Sequence, residues 1–159
     1  MGCDIHLYIE KRFYRHDDKE NGKWVSMDKL SENHYSYLYP DDKEPYLQIK
    51  TEDQFYTYGR NYNLFCALAG ARSWNFVNDP PMVSPPKGMP KDACKLVKKL
   101  KREYGSDGHT HSWLTLRELL QFDWTPYGNT CDSFRNDTMK KMEALGEPHD
   151  VRIVFWFDN

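Results

Sequence analysis

Apolar and polar side chains alternate over residues 4 to 13, where Ile5, Leu7 and Ile9 are separated by His6, Tyr8 and Glu10. A period of two is the signature of a strand with one buried face. The run His-Asp-Asp-Lys-Glu-Asn-Gly at 16 to 22 predicts a turn, and Lys23 to Met27 a returning hairpin arm. At the other end, Val151 to Asn159 is β-branched and aromatic, which predicts a second long strand. An antiparallel pairing of the two termini that sets Ile5 against Phe157, Leu7 against Phe155 and Ile9 against Ile153 gives one apolar face. The same register opposes Glu10 to Arg152, a favourable charge pair, and His6 to Trp156. It also opposes Asp4 to Asp158. Two facing carboxylates repel unless solvent is close, one is protonated, or a cation sits between them.

Elsewhere the period is helical. Leu64, Phe65, Leu68 and Ala69 form a stripe that predicts a helix over 60 to 72. Ala93, Leu96, Val97, Leu100 and Tyr104 predict another over 91 to 104, stopped by Gly105. Prolines and a glycine make 73 to 90 an extended loop. Residues 106 to 113 read as a loop carrying His109 and His111. Thr115 and Glu118 then fit a capping box that starts a short helix at Leu116. Residues 123 to 136 are turn-rich, and 137 to 145 predict a last helix ended by Gly146. The stretch 31 to 58, rich in Tyr, Asp, Lys and Pro, has no clear period and reads as an insertion with short strands. The sum is a single α+β domain over 1 to 159. Its antiparallel sheet has the N- and C-terminal strands at its centre, and the helices near 61 to 71 and 91 to 104 pack on one face.

Composition narrows the function classes. The chain has 159 residues, 39% hydrophobic and 15% aromatic, enough to bury a core. With 22 basic and 24 acidic residues the net charge is −2, so no global field draws in a long nucleic acid. No apolar run reaches the ~20 residues that span a bilayer. Gly2 begins a myristoylation pattern that His6 breaks, since that position requires Ser or Thr. The opening shows no leader pattern. Cys3, Cys66, Cys94 and Cys131 have neither paired nor zinc-ribbon spacing. Reduced thiols, and hence the cytoplasm, are expected.

The residues able to carry chemistry are few. Asp4-x-His6 lies on a strand and His109-x-His111 precedes a capped helix. With Asp158 these offer ligands suited to a divalent zinc, manganese or iron ion. A bound metal would supply hydroxide at neutral pH. Without one, His6, His109 and His111 could serve as general acid and base. The plain alternative is a hydrogen-bonded core histidine and two solvated ones. Arg60 and Asn61, at the start of the first helix, suit a phosphate, and Arg72 flanks its other end. The alternative for Arg60 is an exposed ion pair. Trp113 and Trp156 could stack on a base, or simply fill the core. Cys3 next to Asp4 invites a nucleophile reading, but shares the face of Ile5 and Leu7 and is expected to be buried. Lys95, Lys98, Lys99, Lys101 and Arg102 make one helix face basic, as a solvated face usually is.

The opening Met1-Gly-Cys-Asp-Ile-His6 resembles the start of a family of small, largely uncharacterised bacteriophage proteins. Arg60 to Phe65, the Pro-Lys-Gly-Met-Pro segment at 86 to 90, Ser112 to Leu116 and Val154 to Asp158 resemble the same family. The resemblance carries no established activity. It implies a phage origin and the cytoplasm of an infected bacterium. In that setting the polar set is read first as a metal-assisted hydrolase of a nucleotide or cyclic-nucleotide phosphodiester, with counter-defence as its role. A second reading is a nucleotide-sequestering protein, which would be a homo-oligomer. A third is an inhibitor that binds a host protein through the tyrosines of 35 to 58.

Overall fold

The computed structural model describes residues 2–33, 41 and 47–159. A four-stranded antiparallel sheet organises it, in the order β2-β1-β6-β5. The strands are β1 (Asp4–Arg15), β2 (Asp18–Ser26), β5 (His109–Thr115) and β6 (Val151–Asp158). The terminal strands are therefore central, as the alternation predicts. Their register is the predicted one, with Asp4 against Asp158, Leu7 against Phe155 and Glu10 against Arg152. A second, two-stranded sheet pairs β3 (Ser31–Glu32) with β4 (Leu47–Gln48). It falls inside the expected 31 to 58 excursion. Tyr35, Tyr37, Tyr39 and Tyr46 of that stretch lie outside the described residues. The first hairpin turns earlier than expected, at His16 and Asp17, because β2 already starts at Asp18.

Side chains of the sheet divide by parity. Ile5, Leu7, Ile9, Ile153, Phe155 and Phe157 join a large core with α1 (Tyr62–Ala69), α3 (Leu116–Gln121) and α4 (Met139–Glu143). Tyr8, Trp113, Val154 and Trp156 face the other way, onto Val97, Leu100 and Tyr104 of α2 (Lys95–Tyr104). The helices expected together on one face are thus split between the two. The physical reason is that both faces of the central strand β6 are apolar, Val154 and Trp156 on one and Ile153, Phe155 and Phe157 on the other, so both require cover.

Local signals account for the helix ends. Asn61 caps α1 by accepting from the Leu64 amide at 3.1 Å, and Gly70 closes it in a left-handed conformation (φ 70°). Thr115 and Glu118 form the predicted capping box of α3 reciprocally. A π-helical turn, Phe134–Thr138, leads into α4. The N-terminal end of α2 is held by charge. Glu10 and Arg152 are essentially buried; the Arg152 Nε donates to Glu10 at 2.8 Å, and the Cys94 amide donates to the same carboxylate at 2.7 Å. The Arg152 guanidinium also pairs with Asp92 and lies 3.9 Å from the centre of the Trp24 ring. The cysteines are free thiols, with Cys3, Cys66 and Cys131 buried. Among the described residues no helix is long and apolar enough to cross a membrane.

Candidate functional site

One end of the sheet gathers the chemistry. The start of β1, the end of β6 and the start of β5 meet there, bringing Asp4, His6, Asp158, His109 and His111 to the same edge of the molecule. His6 is the best-placed of them. Its Nε2 lies 2.9 Å from Asp158 Oδ2, and both side chains are only partly exposed. If Nε2 donates to the carboxylate, Nδ1 carries the lone pair and can accept a proton. The imidazole packs on the Tyr104 ring with centroids 4.0 Å apart. Burial, reinforced by the charges of Asp158, Glu103 and Asp4, raises the Tyr104 phenol above its ordinary range, so it stays neutral at physiological pH.

Asp4 does not turn to its opposite number. Arg60 takes its carboxylate in a bidentate fork, Nε to Oδ1 at 2.7 Å and Nη2 to Oδ2 at 2.9 Å. That hydrogen-bonded guanidinium lowers the Asp4 pKa. Arg60 lies so close over Gly2 that a Cβ there would stand 2.0 Å from Nη1. Asn61 is committed too: besides capping α1, its Nδ2 donates to the Thr130 carbonyl at 2.7 Å.

His109 and His111 lie on β5, not in a loop. Polar residues at 109 to 112 hide the strand from a hydrophobic pattern, and a bulge hides its period. The register slips by one between His109, opposite Phe157, and Ser112, opposite Phe155. Thr110, within the bulge, has φ 52°. The consequence is that two residues which would share a face on a regular strand do not. His109 contacts the Phe157 ring on the large-core face, and His111 contacts Trp156 on the α2 face. Burial first, then the charges of Lys101 and His109, lower the His111 pKa. Its Nε2 and Trp156 Nε1 are both buried without a hydrogen-bond partner among the described residues, beside Gly108.

The expected metal set is therefore divided. Asp4, His6, His111 and Asp158 belong to one face and His109 to the other, and Arg60 occupies Asp4. Among the described residues no three His, Cys, Asp or Glu side chains converge to hold an ion. The two tryptophans are also engaged. Trp156 is fully buried between Tyr8, Tyr104 and both His6 and His111. Trp113 carries the Lys87 ammonium over its ring at 4.1 Å and the Arg152 guanidinium at 5.4 Å.

A cavity of about 260 Å³ opens beside His6, lined by Tyr8, Asp28, Gln48, Tyr56 and Tyr104 among others. It exists because β1 pairs with β2 only from Glu10 onward. At Ile9 the Asp28 carboxylate takes the place of a strand partner, accepting the Ile9 amide at 2.9 Å. Burial pushes Asp28 up to about 6. Neither Asp28 nor Tyr104 is conspicuous in the sequence. Asp28 is one acid among many, and Tyr104 reads as part of the apolar stripe of its helix. No family model matches the chain, and no curated protein or solved structure matches it either.

Proposed function

We propose that this chain hydrolyses a small phosphodiester, of a nucleotide or cyclic nucleotide, by acid–base chemistry at His6. The observation that carries the reading is the His6–Asp158 contact at 2.9 Å on the rim of a cavity. A carboxylate on one imidazole nitrogen orients the ring and stabilises the imidazolium that forms when the other accepts a proton. In the proposed reaction Nδ1 takes a proton from an attacking water as its oxygen bonds phosphorus. The same proton then goes to the leaving oxygen as its bond to phosphorus breaks. The cavity is smaller than the ~300–1,000 Å³ usual for whole ligands, so it suits the phosphate and its ester oxygen rather than an entire nucleotide. Arg60 is the guanidinium the reading assigns to the phosphate, and its fork is shared by Asp4.

A metal-assisted version, with zinc, manganese or iron, would draw on Asp4, His6 and Asp158. The Asp4–Arg60 fork counts against it, because Arg60 would have to release Asp4 first. In the phage setting that the sequence resemblance implies, the activity would remove a host nucleotide signal.

The test is turnover of bis(p-nitrophenyl) phosphate and of cyclic mononucleotides by the purified protein, with and without EDTA. Expected are turnover that survives EDTA and a loss of about 10²–10⁴-fold in His6→Ala, the usual contribution of a general acid–base group. Asp158→Asn should lower kcat more than it raises KM. Wild-type protein that turns over none of these substrates would sink the reading. Turnover abolished by EDTA, with stoichiometric metal found by elemental analysis, would replace it with the metal-assisted form.

A further inference from the structure

A separate cavity of about 480 Å³ lies at the C-terminal end of α1, on the face of the sheet opposite His6. Cys3, Gly70, Arg72, Trp74, His109 and Thr110 line it. Its volume is within the ~300–1,000 Å³ range of small-molecule sites. Three independent features converge there.

The first is backbone strain. Among the described residues only Arg72 (φ 63°) and Thr110 (φ 52°) adopt positive φ without being glycine. They come from different elements, and both line this cavity. A β-branched residue at positive φ is a true outlier, and such strain collects where structure serves a ligand. The second is an unsatisfied polar atom. His109 Nδ1 lies 2.9 Å from Thr110 Oγ1, while its Nε2 is buried without a hydrogen-bond partner among the described residues. Buried polar atoms ordinarily have partners. The third is an aromatic and a cation side by side. The Trp74 ring is 70% exposed, and the Arg72 guanidinium stands 4.9 Å from its centre while donating to Asn159 Oδ1 at 2.9 Å. A large exposed aromatic beside a guanidinium suits a flat anionic ligand.

We propose that this cavity binds a nucleoside monophosphate. The base lies on Trp74, and the phosphate sits against the Arg72 guanidinium. The inference does not depend on hydrolysis at His6, since neither His6, Asp158 nor Tyr104 lines this cavity.

Calorimetric titration with AMP tests it, on the wild type and on Trp74→Ala, Arg72→Gln and His6→Ala. Trp74 is exposed, so its removal leaves the core intact, and circular dichroism checks the fold of each variant. The expected result is saturable binding by the wild type and by His6→Ala, about tenfold weaker in Trp74→Ala and in Arg72→Gln. Adenosine and inorganic phosphate, each carrying half the ligand, should bind more weakly than AMP. No saturable binding by the wild type would overturn the proposal, as would equal affinity in wild type, Trp74→Ala and Arg72→Gln. Inorganic phosphate binding as tightly as AMP would overturn the base-stacking half.

Discussion

Asp4 and Asp158 stand directly opposite each other on adjacent strands, and each turns to a different hydrogen-bond partner. Arg60 forks onto Asp4, and His6 reaches diagonally to Asp158. Removing Arg60 therefore exposes a like-charge pair. In Arg60→Ala the Asp4 pKa, followed by carboxyl NMR, should rise toward or above its ordinary value. The stability that this depressed pKa contributes is present above the unfolded value and is lost as pH falls through the folded one. Wild type should thus be more acid-sensitive below pH ~4 than Arg60→Ala, judged relative to each protein at neutral pH. An Asp4 pKa unchanged by the substitution would contradict the fork.

Asp28 gives the opposite sign. Its folded pKa is raised to about 6, chiefly by burial, from an ordinary 3.8. The folded state holds a proton that the unfolded state has lost, so this group's contribution is full below pH ~4 and declines as pH rises to ~6. The loss is roughly 3 kcal/mol at most. Asn can still accept the Ile9 amide through its carbonyl oxygen. Asp28→Asn should therefore be the more stable protein at pH 7 in urea melts, and the gap should close below pH ~4. A constant gap across that range would refute the assignment.

The Glu10–Arg152 pair should be strongly non-additive. Either Glu10→Leu or Arg152→Met alone strands a buried charge, at a cost of about 3–5 kcal/mol. Both together remove the charges and should cost much less than the sum, with a coupling energy of roughly 1–3 kcal/mol in a double-mutant cycle. Additive losses would mean the pair is not coupled.

Strain at Thr110 predicts a stabilising substitution next to a candidate site. Thr110→Gly relieves the positive φ, which costs about 1–3 kcal/mol in a non-glycine residue, and gives part of that back as chain entropy and a lost His109 contact. A net gain of about 1 kcal/mol is expected in urea unfolding. Thr110→Val keeps the strain, loses the hydroxyl and should be less stable than wild type.

What was legible in the sequence follows from which physics is local. The alternation of Ile5, Leu7 and Ile9 against Ile153, Phe155 and Phe157 has one register that aligns both apolar faces, and the structure adopts it. The capping box at Thr115 and Glu118 is a contact between near neighbours, so it too could be read directly. The faces of His109 and His111 could not. They hinge on one residue in a left-handed conformation, and no hydrophobic period records a bulge among polar side chains. Arg60 could be placed at the helix start, but its partner, Asp4, is distant in sequence and reads there as a metal ligand beside His6. The same holds for Trp74 and His109, brought to one cavity only by the sheet.

The pairing of β1 with β6 has a consequence for how the molecule is made. The two central strands come from opposite ends of the described chain, so neither can be completed by its neighbours as it emerges from a ribosome. The β1–β2 hairpin forms early but has no partner for residues 4 to 9, and an unpaired apolar strand is a template for misassembly. Closure must wait for β6 and bear the entropy of the long loop that separates it from β1. Folding should therefore be slow, with the nascent hairpin the stretch most in need of a chaperone.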